Sequence, residues 1–271
     1  MMLGTLLMGA IMLFITQHLQ LVDGLSPLGA GLWMLPAVGA NIVSFMASPI
    51  LARRFRPAYL IGVGLAISVL GLLVMTQVGS DSGPATLATG FAIVFLGAGP
   101  LVTLGTGLVI GSAPREKAGS AAAVNETSGQ LGFALGIAVL GSIGTIVYRD
   151  RLTIPDGVPA HAAEAARESL AGAAAAAGSL PEDAAAALLG PAREAFTGGL
   201  NTVAGLCAVL LAGVALLSAR LLRHVPPSGE AAADGEPAAG APAAGAPATG
   251  EPAPGEPIAD RPAGGVAVPA A

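Results

Sequence analysis

Six long apolar runs organise the chain, covering Met1 to Leu21, Leu28 to Leu51, Ala58 to Val78, Ala85 to Ser112, Ala118 to Tyr148 and Ala195 to Leu222. Each reaches the ~20 residues that a helix needs to cross a hydrocarbon core. A closed barrel, the other architecture that satisfies backbone groups in lipid, would show alternating segments of ~10 residues. No such alternation is visible, so the pattern predicts an all-α membrane protein with six transmembrane helices. The first run has neither a basic leader nor a small-residue cleavage site before the next span. It therefore reads as a retained helix rather than a signal peptide.

Composition narrows the function classes. The residues are 54% hydrophobic and 11% charged, far from the charge density of an average soluble domain. The net charge of -5 comes with no basic stripe, which argues against nucleic acid as a partner. The single cysteine, Cys207, lies in the sixth span, so neither a disulfide framework nor a cysteine metal cluster can be assembled. No cofactor is expected.

Charge also sets an expected orientation. Arg53, Arg54 and Arg56 lie between spans two and three, Arg115 and Lys117 between spans four and five, and Arg220 and Arg223 at the end of span six. The alternate connections carry Asp23 and Asp81 and no Lys or Arg. Counted over the short loops, the positive-inside rule places the basic loops and both termini in the cytoplasm of a multi-pass plasma-membrane protein. The fifth connection, 149–194, holds four arginines, but long loops translocate largely regardless of charge. It is alanine-rich, with a helix-start signal at Ser179 ahead of Pro181, Glu182 and Asp183. One or two short surface helices in an extracellular spacer are expected, and a lid over an outer vestibule is the competing reading. The first domain, 1–225, is thus the six-helix bundle. Residues 226–271 repeat "GAPA" and "GEPA" units with almost nothing to bury, and the expectation is a disordered cytoplasmic tail.

Lipid gives helices no hydrophobic reason to associate, so small residues must let backbones approach. Ser128, Gly132 and Gly136 in span five and Gly107 and Gly111 in span four are the expected contacts. Pro100, beside Gly97 and Gly99, removes one backbone donor and is expected to bend span four.

Glu126 is the only acidic residue in the six spans. A charged carboxylate at the bilayer centre costs at least ~2.5 kcal/mol. No Lys or Arg lies at comparable depth to pair with it, which leaves a watery cavity or a bound proton. Counting from Ala118 at about 1.5 Å per residue puts it roughly 12 Å into its helix. Asn125 is adjacent and Gln130 follows one turn later, completing a candidate proton or substrate site. A carboxyl kept protonated for packing alone is the alternative. His18, flanked by Gln17 and Gln20, is a candidate relay or gate, although a histidine there more often lies at headgroup level. Trp33, Phe45, Phe91, Phe95 and Phe133 could offer an aromatic surface to an organic cation, against the plainer reading of core or lipid packing. An enzyme is not expected: a serine hydrolase would have to unite Ser128 with His18, which lie near opposite membrane faces. A channel is not expected either, since no filter loop or paired half-helix motif is seen.

Three runs, "QHLQLVDGLSPLGAGLWMLPAVGANIV", "SPILARRFRPAYLIGVGL" and "PREKAGSAAAVNETSGQLGFALGIAVLGSI", occur in order on the expected sides of the spans. Together they resemble the C-terminal part of fourteen-helix drug:proton antiporters of the major facilitator superfamily, the QacA and EmrB type. The resemblance covers roughly Met1 to Val225. It implies one six-helix half made of two inverted three-helix repeats. It further implies export of lipophilic or cationic drug-like compounds, driven by the proton gradient, with Glu126 in the next-to-last helix as a substrate or proton residue. "PILARRFRP" looks like a degenerate cytoplasmic loop motif of the superfamily, with Arg53 and Arg56 where an aspartate and a glycine are usual. The resemblance leaves the first eight helices, including the N-terminal half, to be supplied from elsewhere. A structural or partner-binding membrane protein that does not transport is the alternative.

Overall fold

The computed structural model describes residues 2–80, 82–155 and 157–221. The expected tail, 226–271, lies outside the described residues. Helix α1 (Met2–Gln17) passes directly into a π-helical turn (His18–Val22). It is followed by α2 (Pro27–Ala52), α3 (Pro57–Met75), α4 (Pro84–Gly111) and α5 (Ala118–Arg151). Two short helices, α6 (Ala160–Glu168) and α7 (Leu170–Ala177), precede α8 (Glu182–Leu221). Six of these are long and apolar enough to span a membrane, as the sequence pattern predicts, and the described residues contain no strand.

Proline starts three of the spans. Pro27, Pro57 and Pro84 open α2, α3 and α4, where a missing N–H costs nothing because the first helical donors have no intrahelical partner. Ser26 adds a side-chain cap to α2, its Oγ accepting from the Gly29 N–H at 3.1 Å.

The helices pack in two groups. α4 lies against α2 and α3, α1 lies against α5, and α8 joins the groups by packing on both α3 and α5. Glycine makes both seams close. A Cβ at Gly132 or Gly136 of α5 would collide with the carbonyls of Met2 and Leu6 in α1, and one at Gly9 with the Phe133 carbonyl. Across the other seam Gly64 faces Gly97 and Gly71 faces Gly90, again with backbone in the way of any side chain. The expectation for Gly132 and Gly136 therefore holds in the packing. That for Gly107 and Gly111 does not: both have open space around them, because α4 is turned so that Gly90, Gly97 and Gly99 form its seam.

α4 runs unbroken through Pro100. The ring removes the N–H that would bond the Leu96 carbonyl, and Ser44 of α2 supplies the replacement, its Oγ–H donating to Leu96 O at 2.6 Å. Gly99 leaves room for that serine.

The long connection departs from expectation in two ways. α5 continues to Arg151 and α8 starts at Glu182, so the helix-start signal at Pro181 opens the sixth span itself. Residues 182–194 belong to α8 instead of the loop, and Pro191 is carried inside it. Moreover, the two short helices form but are not a solvated spacer. Ala162, Ala166, Leu170 and Ala173 are buried, and the Tyr148 hydroxyl at the end of α5 donates to Ala166 O at 2.6 Å. Alanine's small side chain lets α7 lie directly on α8 and the π-turn, with α6 packed on α7.

Candidate functional site

Glu126 lies on the open side of α5. The buried stripe of that helix runs Gly132, Gly136, Leu140, Gly144 and Tyr148, one residue every fourth. At 3.6 residues per turn, positions six and two before Gly132 fall well off that stripe. Glu126 and Gln130 are accordingly exposed and joined to each other, Gln130 Nε2 donating to Glu126 Oε1 at 2.9 Å. The low-dielectric surroundings expected for this carboxylate are not provided by the described residues. Among them no Lys or Arg forms an ion pair with it.

Asn125 parts company with its neighbour. It is half-buried and lines a crevice of about 590 Å³ between the start of α1, the end of α4 and the start of α5, together with Ser112, Lys117 and Ser128. The structure thus unites Glu126 with Gln130 and turns Asn125 toward different surroundings.

At the other end of α1 the expected site is rebuilt. His18 is fully buried within the protein. Its Nδ1 lies 3.3 Å from Asp23 Oδ2, and the Asp23 side chain is only 8% exposed. Its Nε2 lies 3.3 Å from Thr197 Oγ1, and its ring leans on Phe196 with centroids 6.4 Å apart. Thr197 Oγ1 also donates to Arg193 O at 2.9 Å, while Arg193 Nε donates to Leu21 O at 3.1 Å. Arg193 and Thr197, four residues apart on α8, therefore grip the π-turn at two points. Gln17 takes no part: it is half-buried and lines a separate cavity of about 540 Å³ with Ser142, Thr145, Arg149 and Glu168.

Arg193 and Thr197 were not legible from the sequence as a pair gripping the π-turn, because α8 was expected to begin at Ala195, beyond Arg193. The signal that could have found them is the Arg193–Thr197 spacing on an extended α8. Ser128 and His18 are at opposite ends of α1, which at ~1.5 Å per residue separates them by more than 20 Å. Arg53, Arg54 and Arg56 are exposed in the turn from α2 to α3. The aromatic residues form no single surface. Phe91 and Phe95 make an edge-on pair at 4.5 Å inside α4, whereas Trp33 and Phe133 are partly exposed on α2 and α5.

Comparison with known proteins agrees with this architecture. A family model described as Major Facilitator Superfamily matches residues 1–137. The multidrug efflux pump LfrA of Mycolicibacterium smegmatis is 39% identical over 202 residues, 74% of this chain and 40% of that protein. The tetracenomycin C resistance and export protein of Streptomyces glaucescens is 33% identical over 215 residues, 76% of this chain and 40% of its own length. The methyl viologen resistance protein SmvA of Salmonella typhimurium is 32% identical over 186 residues, 68% of this chain and 37% of that protein. The chain thus spans about two fifths of the length of these relatives. With six spanning helices packed through glycine seams and a family match over half its length, this multi-pass membrane chain belongs to the Major Facilitator Superfamily.

Proposed function

We propose that the chain forms the C-terminal six-helix half of a multidrug exporter that exchanges lipophilic or cationic compounds for protons. The observation that carries this reading is the Glu126–Gln130 pair, an acid hydrogen-bonded to its neighbour one turn on, on a helix face left open by the described residues. Alternating access needs two bundles rocking about a site near the midplane. The open face of α5 is where a second bundle would complete the surroundings of Glu126 and alternate them between wet and dry. That alternation lets a carboxylate take up and release a proton. The names of the relatives, a multidrug efflux pump and proteins of tetracenomycin C export and methyl viologen resistance, support the substrate class. In this reading the protein is a transporter in the plasma membrane, both termini are cytoplasmic, no cofactor is needed and the proton gradient supplies the energy.

The test uses the transporter of which this chain is the C-terminal part. Glu126→Gln keeps the hydrogen-bonding shape and removes the titration. Efflux should lose its dependence on the pH gradient, and drug-induced proton movement in vesicles should disappear. Unchanged proton movement in that variant rejects the coupling role. A second reading is a membrane protein that binds a partner without transporting. It is upheld if the 271-residue chain, expressed with all the sequence that belongs to it, never moves a drug.

A further inference from the structure

The proposed transport mechanism uses Glu126 and leaves the fully buried His18 without a task. His18 lies on a π-helical turn, a local irregularity that often marks a functional position. The turn folds back on itself: the Asp23 N–H bonds His18 O at 3.1 Å, and the Asp23 carboxylate returns to the same residue's ring. Gly24, with φ of +67°, takes the left-handed conformation that sends the chain onward immediately after Asp23.

Hydrogen-bond bookkeeping around the ring is tight. Thr197 has one hydroxyl proton, and it is directed to Arg193 O. The Thr197 oxygen is therefore the acceptor for a proton on His18 Nε2. The second bridge, Nδ1 to Asp23 Oδ2, holds another proton between a base and an acid. If one of these protons leaves, Nε2 becomes an acceptor once Nδ1–H serves the Asp23 carboxylate. The Thr197 hydroxyl must then either turn away from Arg193 O to reach Nε2 or set two acceptors against each other.

We propose that His18 and Asp23 form one proton-binding site that latches the π-turn of α1 to α8 through Thr197, so that one proton tightens or loosens this junction. The other groups near it leave the assignment with this pair. α1, α2 and α7, which pack on the π-turn, contribute no ionisable side chain. α8 contributes Arg193, committed through Nε to Leu21 O, and Glu194, which is exposed. Arg151 of α5 reaches over Gly198, beside Thr197. Among the described residues, the hydrogen-bonding partners of the His18 ring are the Asp23 carboxylate and the Thr197 hydroxyl. The latch does not depend on the antiport reading, which concerns the other end of the bundle.

Hydrogen–deuterium exchange of the full 271-residue chain in lipid nanodiscs reads the latch directly, between about pH 5 and 8 and after correction for the chemical exchange rate. Amides of residues 19–25 and 193–200 should exchange about tenfold faster on the alkaline side of a single transition. Asp23→Asn should move that transition to lower pH, since a neutral amide no longer favours the charged ring. His18→Gln and Thr197→Val should abolish it. A wild-type profile without a transition in these segments overturns the proposal, as does an unchanged midpoint in Asp23→Asn. The second criterion stands even if His18→Gln fails to fold. No transport is measured, so this result and the fate of Glu126 are separate.

Discussion

Glu126 and Gly132 are six residues apart on α5 and meet opposite fates. Gly132 lies against the Met2 carbonyl, where any side chain would strike backbone, while Glu126 is exposed and hydrogen-bonded to Gln130. Both were legible in the sequence as unusual, one as a small residue in a small-residue series and one as an acid in an apolar run. Their difference in surroundings was not, because a four-residue spacing names a stripe without saying which side of the helix a neighbour will cover. The glycine series makes a direct test. Gly136→Ala should destabilise the chain by about 1–3 kcal/mol, the cost of overpacking against a backbone that cannot yield, whereas Gly107→Ala should leave thermal unfolding in detergent nearly unchanged. Equal effects would contradict the helix registers described above.

Among the elements, α4 shows how a rule of local chemistry is met by a distant partner. Proline in a helix interior frees a carbonyl, and in lipid a free carbonyl must find a donor. The donor for Leu96 O is Ser44, fifty-two residues away in sequence. Ser44→Ala should therefore cost about 1–2 kcal/mol, near the upper range for hydrogen bonds between membrane helices. Adding Pro100→Ala restores an N–H opposite Leu96 and should recover part of that loss. A double-mutant cycle in which the two changes are simply additive would reject the exchange of donors. The same level explains the misplaced start of α8. Pro191 and the polar stretch before Ala195 look like loop, yet burial of Leu188, Ala192 and Ala195 carries the helix through them.

For the whole molecule, the proposed orientation rests on the arginines of the short loops and is open to chemical labelling. In a chain with Cys207→Ala, Ser80→Cys should react with an impermeant thiol reagent added to intact cells and Ala118→Cys should not. The reverse pattern would invert the topology and with it the direction assigned to the His18 end. Six runs of sufficient length and the loss of two-residue alternation were enough to establish the class and number of spans, because crossing lipid is a demand each segment meets alone. The acid at 126 and the histidine at 18 were identifiable for the same reason, since a polar group in an apolar run is unusual wherever its helix packs. Their surroundings depended on the assembled bundle. Burying His18 with Asp23 and Thr197, leaving Glu126 open and turning Asn125 away from it are consequences of the rotation of each helix about its axis. That rotation is set by contacts between residues far apart in the chain, and no local pattern encodes it.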